Sequence, residues 1–288
     1  MRVSDSTLSD LLQRNLTERR ESYFRAQQQA SSGLRVAKPS DDPVAAGTAR
    51  GLASRERRAA ASASMAAESR DELIAVDSVL ASAVDVMARA RELAIQTGND
   101  TMSASDRAAA AAEVGSLRDQ MLALANTQLD GHYVFGGIAS ESAPYDAAGA
   151  FVGSTSVREI ELGPGVRVAT QVSGDVFSGV FATLDSLEVA LNGDDGPTIR
   201  ASLTDLTRGL DQLASGRTEA GTLQQNLQVV GSVAQRVADN AQARRSGLVD
   251  ADTFDTLSRM MLAESALSQA VSLASRLPMP GLLQSGGG

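Results

Sequence analysis

Proline placement constrains this chain more than any other feature. The seven prolines stand at 39, 43, 144, 164, 197, 278 and 280, which leaves 44–143 and 198–277 free of them. A proline inside a helix costs about 3 kcal/mol, so these two tracts are where long helices can form. They are also where alanine concentrates, and 47 of the 288 residues are alanine. Apolar residues in them step by three and four: Leu73, Val76, Leu80, Ala83, Met87, Ala90 and Ala94, then Ala110, Val114, Leu117, Met121 and Leu124. Leu223, Leu227, Val230, Ala234, Val237, Ala241 and Leu248 repeat the pattern beyond residue 200. Such spacing predicts seams for helix-on-helix packing at near-parallel angles. Small alanines at the seams bury little area each, so only modest stability is expected.

The stretch 131–181 has the opposite character. It holds six of the nine aromatic residues and nine of the 25 glycines. Its runs Val157–Leu162 and Val166–Val172 alternate around Gly163-Pro164-Gly165, which predicts a β-hairpin. The fold class expected is therefore mainly α. An elongated antiparallel helical bundle or coiled coil is formed by the N- and C-terminal arms, with a small β-rich domain inserted. The expected division is 1–40 with 250–288 as a terminal helical assembly region, 41–130 with 182–249 as the bundle core, and 131–181 as the insert.

Local signals agree. In Ser40-Asp41-Asp42-Pro43 a carboxylate can cap a helix whose first residue is proline. Thr97–Asp100 and Ser103–Asp106 bracket a turn between helices, with Ser103 or Ser105 as the next cap. Asn192–Pro197 reads as a loop. Both chain ends carry amphipathic stripes: Leu12, Leu16, Tyr23, Ala26 and Ala30 at one, Met260, Ala263, Leu267, Ala270, Ala274 and Leu277 at the other. Neither has a partner nearby in sequence, so the ends are expected to pair with each other or with other subunits. Leu277-Pro278-Met279-Pro280 should stop the last helix.

Composition narrows the chemistry. There is no cysteine, so disulfides, thiol nucleophiles and thiolate metal sites are out. His132 is the single histidine, which excludes any site that needs two. A formal charge of −9 argues against a sequence-independent grip on nucleic acid. No run of eighteen apolar residues is present to span a membrane, and the N-terminus lacks the cationic and apolar stretches of a secretory signal peptide. Asp41 and Asp42 read as capping residues rather than an acid–base pair, because Pro43 follows. His132 has no indicated nucleophile or orienting acid. Gly136-Gly137 reads as a turn rather than a phosphate loop. Arg55, Arg57 and Arg58 read as a solvated helix face or a subunit contact. No catalytic, cofactor or metal site is expected, and the chain is not expected to be an enzyme.

The segment Gln29–Ala46, QASSGLRVAKPSDDPVAA, resembles the N-terminal block shared by bacterial flagellins and their relatives at the hook–filament junction. Arg91–Asp100, RELAIQTGND, is similar to the block ending the first long helix in that superfamily. The form Pro39-Ser-Asp-Asp-Pro43 and the run Gly131-His-Tyr-Val-Phe-Gly-Gly137 resemble the junction branch more than the filament branch. The resemblance implies a structural flagellar protein, exported unfolded through the flagellar type III channel without a cleaved signal peptide and found in the extracellular flagellum. Implied partners are a ring of its own copies, the other hook–filament junction protein, flagellin and a flagellar export chaperone. Leu12, Leu16, Tyr23, Leu267, Val271 and Leu277 are the residues expected to carry terminal packing. Ser31–Pro43, with Ser32, Gly33, Leu34, Pro39, Asp41, Asp42 and Pro43, is expected to form a spoke between terminal and middle regions. A short flagellin, or a cytoplasmic helical scaffold or adaptor, is the alternative.

Overall fold

A computed structural model describes residues 5–163 and 165–276. Its elements in chain order are α1 (Asp5–Ser32), α2 (Pro43–Thr97), α3 (Ala104–Ala125), β1 (Gln128–Leu129), β2 (His132–Tyr133), β3 (Glu159–Gly163), β4 (Val166–Ala169), α4 (Val180–Asn192), α5 (Gly196–Val249) and α6 (Thr253–Arg276). The fold is mainly α, as the proline map predicts, and α2 and α5 are 55 and 54 residues long. The chain divides into two compact units: residues 58–237, and residues 1–57 with 238–288.

In the unit 58–237, α2 and α5 run antiparallel. Gly231 lies against Ala66, the Gln224 amide donates to the Leu73 carbonyl at 3.0 Å, Arg217 pairs with Asp77 at 2.9 Å, and Gly209 lies against Met87. Partners on α5 thus fall in number as those on α2 rise. The sequence seam Leu73, Val76, Leu80, Ala83, Met87, Ala90 and Ala94 is buried throughout. On α5 the seam holds at Leu227 and Ala234, but Val237 is exposed. Here the reading slips by one residue, and in the neighbouring unit Ala238 is the buried residue. Ala241, the next seam residue, is buried as read, so Ala238 replaces Val237 between Ala234 and Ala241 and the steps run four then three instead of three then four.

Helix α3 packs on α4. It starts where Ser103 accepts a bond from the Asp106 N–H at 3.2 Å, one of the two caps expected. The insert opens with the hairpin β1–β2 and continues with the antiparallel pair β3–β4, in which Ile160 faces Val168. Its centre is aromatic. Phe135 and Phe177 meet edge to face at 5.0 Å, and Tyr145 lies 5.3 Å from Phe181 and 5.8 Å from Phe177. The Tyr145 hydroxyl donates to the Gly174 carbonyl at 2.5 Å. Such ring pairs add about 1 kcal/mol each beyond their buried area.

Candidate assembly region

The unit formed by the two chain ends is built from α1, the segment 33–42, the first turns of α2, the last turns of α5, and α6. Helix α1 ends where Gly33 takes φ +68, a left-handed conformation that side-chain-bearing residues rarely adopt. The Gly33 N–H closes the last turn on the Gln29 carbonyl at 2.9 Å. The chain then crosses the end of α5. Leu34 bridges Asp250, the Arg35 and Val36 N–H groups donate to the Val249 carbonyl at 2.8 and 3.2 Å, and the Ala251 N–H donates to the Gly33 carbonyl at 2.8 Å. Val36, Ala45, Ala49 and Val249 close a small apolar cluster beneath these bonds.

The two acids of the spoke have separate tasks. The Asp41 carboxylate accepts from the Ala37 and Lys38 N–H groups at 3.1 and 2.8 Å, folding the loop. The Asp42 carboxylate accepts from the Ala45 N–H at 2.9 Å and so caps α2, with Pro43 as its first residue. Arg35 lies 3.6 Å from Asp42 and also donates to the Leu248 carbonyl. Ser32 accepts from the Leu34 N–H at 3.2 Å, and Pro39 is exposed in the loop. Arg245 pairs with Glu56 at 3.0 Å, joining α5 to α2 within this unit. Sequence reading missed Arg35, Val36 and Val249. Their significance depends on a contact more than two hundred residues away, and neither segment carries a local sign of it.

Helix α1 packs along α6. Leu12, Leu16, Tyr23 and Leu267 are half-buried, Val271 is exposed, and Leu277 lies outside the described residues. The stripe Met260, Ala263, Leu267, Ala270 and Ala274 is half-buried along α6. Outside that stripe α6 exposes further large apolar side chains: Phe254 is 84 % exposed, Leu262 71 %, Met261 65 % and Leu273 57 %. Phe254, Leu257 and Met261 recur at helical spacing on one outward face. Large apolar side chains left exposed at helical spacing mark a surface that a partner can cover. Of the outer residues the sequence pattern pointed only to Val271; Phe254, Leu257 and Met261 fall off the stripe, and their signal is the excess of large apolar residues over what one stripe needs.

His132 is exposed on β2. Among the described residues no cluster of three potential metal ligands occurs, and no helix is long and apolar enough to cross a membrane.

Comparison with known proteins accords with this geometry. Residues 3–140 match the family model of the bacterial flagellin N-terminal helical region. Flagellar hook-associated protein 3 of Salmonella typhimurium is 27 % identical, over 93 % of this chain and 94 % of the relative. A flagellin of Listeria innocua is 25 % identical, over 96 % of this chain and 95 % of that one. A solved hook-associated protein of Vibrio parahaemolyticus shares the fold, with a TM-score of 0.67 at 21 % identity, covering 73 % of this chain and all of the other. Residues 3–140 thus match a flagellin-type helical region, and the fold of a solved hook-associated protein extends over 73 % of the chain. Within that class it is a homologue of flagellar hook-associated protein 3.

Proposed function

We propose that this protein is a structural component of the bacterial flagellum at the junction of hook and filament, joined to its neighbours by its terminal helices. One observation carries the reading: in a chain homologous to hook-associated protein 3, α6 keeps a row of large apolar side chains outside its contact with α1. Leu12, Leu16, Tyr23, Leu267, Val271 and Leu277 lie on the two terminal segments, and we assign them to this packing together with Phe254, Leu257 and Met261. The segment 31–43 acts as the spoke that holds α1 to the end of α5. A specific contact between copies buries about 1,600 Å², and these helices supply its apolar part.

Copies of the chain, the other junction protein and flagellin are the partners of this reading, and an export chaperone meets the same apolar termini before assembly. Export through the flagellar type III channel accords with a chain free of cysteine. The work is mechanical, with no catalytic step. Immuno-electron microscopy of isolated flagella tests the proposal. A label confined to the filament base is the expected result, and a label along the filament overturns it in favour of a short flagellin, the second reading that the Listeria relative favours.

A further inference from the structure

Within the unit 58–237, a crevice of about 60 Å³ opens between α2 and the inserted domain. It is lined by Glu72 of α2, by Asp130 and His132 of the β1–β2 hairpin, and by Arg158, Thr170 and Gln171 at the ends of β3 and β4. Arg158 and its neighbours satisfy one another. Its Nη2 donates to Glu72 Oε2 at 2.7 Å, its Nε donates to Thr170 Oγ1 at 3.3 Å, and Thr170 Oγ1 donates to the Arg158 carbonyl at 3.0 Å. Gln171 is the exception. It is only 9 % exposed, and its Oε1 accepts the Arg158 N–H at 3.4 Å. Its Nε2 has no partner among the described residues, and Gln171 lines the crevice. An amide donor held at such depth calls for an acceptor.

We infer that this crevice receives the carboxamide of an asparagine or glutamine side chain presented by a partner protein. A carboxamide is complementary to the groups left over. Its carbonyl accepts from Gln171 Nε2, and its NH2 donates to Glu72 Oε1, which accepts no bond among the described residues. A carboxylate has no donor for Glu72 and meets the charges of Glu72 and Asp130, while Arg158 is already committed to Glu72. Size points the same way. At roughly 10–15 Å³ for each water-sized group, the crevice holds about four or five, enough for a carboxamide and its methylene. The remainder of the ligand lies outside, as it does when the bound group is one side chain of a longer polypeptide.

His132 is the single histidine, so the magnetic resonance signals of its ring report on this crevice alone. Titrating the full chain at constant pH with N-acetylglutamine methylamide should move those signals saturably, with half-saturation at about 1–10 mM. N-acetylglutamate methylamide, which differs only in its acid, should bind about tenfold more weakly or less. Gln171→Glu keeps the acceptor for the Arg158 N–H and removes the donor, so its affinity for the amide should fall about tenfold. Gln171→Met, neutral and of similar length, should lose the same response, and circular dichroism verifies that both variants are folded. Propionamide, the head group alone, should need at least about threefold more ligand. No saturable shift up to about 0.1 M overturns the inference, as does an equal response to the two capped residues or an unchanged response in both variants. Propionamide binding as tightly as the capped residue overturns the partner side chain in favour of a free small amide.

Discussion

Arg107 holds one end of the unit 58–237 together. Its side chain is only 7 % exposed, yet it reaches the Thr97 carbonyl at 3.0 Å, the Asn99 carbonyl at 2.9 Å and the Asp194 carboxylate. It thereby ties the turn after α2 to the turn before α5. Arg200 adds bonds to the Gly98 carbonyl and Asp100, at 2.7 and 2.9 Å. Arg107→Met leaves the buried Thr97 carbonyl and the Asp194 carboxylate without their donor and should cost about 3 kcal/mol in urea denaturation. The exposed Arg208, paired with Asp205 three residues away, serves as the control, and its replacement by Met should cost less than about 0.5 kcal/mol. Tyr145 makes a pH prediction. Burial pushes its phenol above the ordinary value, so the folded chain favours the neutral form. The unfolded phenol ionises near pH 10; stability is therefore unaffected below that and declines as pH rises beyond it. Tyr145→Phe should flatten the alkaline limb of the unfolding free energy measured between about pH 9 and 11.5, while costing about 1 kcal/mol at neutral pH for the lost bond to Gly174.

At the scale of elements, α5 tolerates glycine for a reason that its own sequence does not state. A Cβ at Gly216 would stand 2.5 Å from Val176 Cγ2, in the 3-10 helix Gly174–Phe177 that lies across it. At Gly221 a Cβ would meet nothing within 4 Å. Gly216→Ala should therefore destabilise by about 1–3 kcal/mol through overpacking, and Gly221→Ala should stabilise by about 0.5–1 kcal/mol through helix propensity. Thermal unfolding of the two variants separates these opposite signs. The hairpin β3–β4 and the caps at Asp42 and Ser103 were legible because each depends on residues close in sequence. The short pair β1–β2 was not, since two residues a side show no alternation.

For the molecule as a whole, acidic charge is concentrated in the unit 58–237, and the outer apolar row of α6 lies in the other unit. Changing Phe254, Leu257 and Met261 together to Ser removes side chains that are exposed in the monomer, so helicity and melting of the isolated protein should hardly change. Flagellar assembly, read as swarming of a complemented deletion strain, should be lost. Swarming equal to the unaltered chain would remove α6 from the assembly surface.

The sequence by itself determined the helical tracts, their buried seams, the inserted hairpin and the two capping sites. Proline exclusion, periodicity and caps all act over a few turns, so local composition suffices to express them. Tertiary structure alone decided that Val249 receives the bonds of Arg35 and Val36, that Arg107 joins two distant turns, and that the α5 seam passes from Val237 to Ala238. Each of these depends on groups brought together by folding across many residues. Hydrogen bonds and packing act at about 3–4 Å in space whatever the separation along the chain, and only the folded molecule sets those distances.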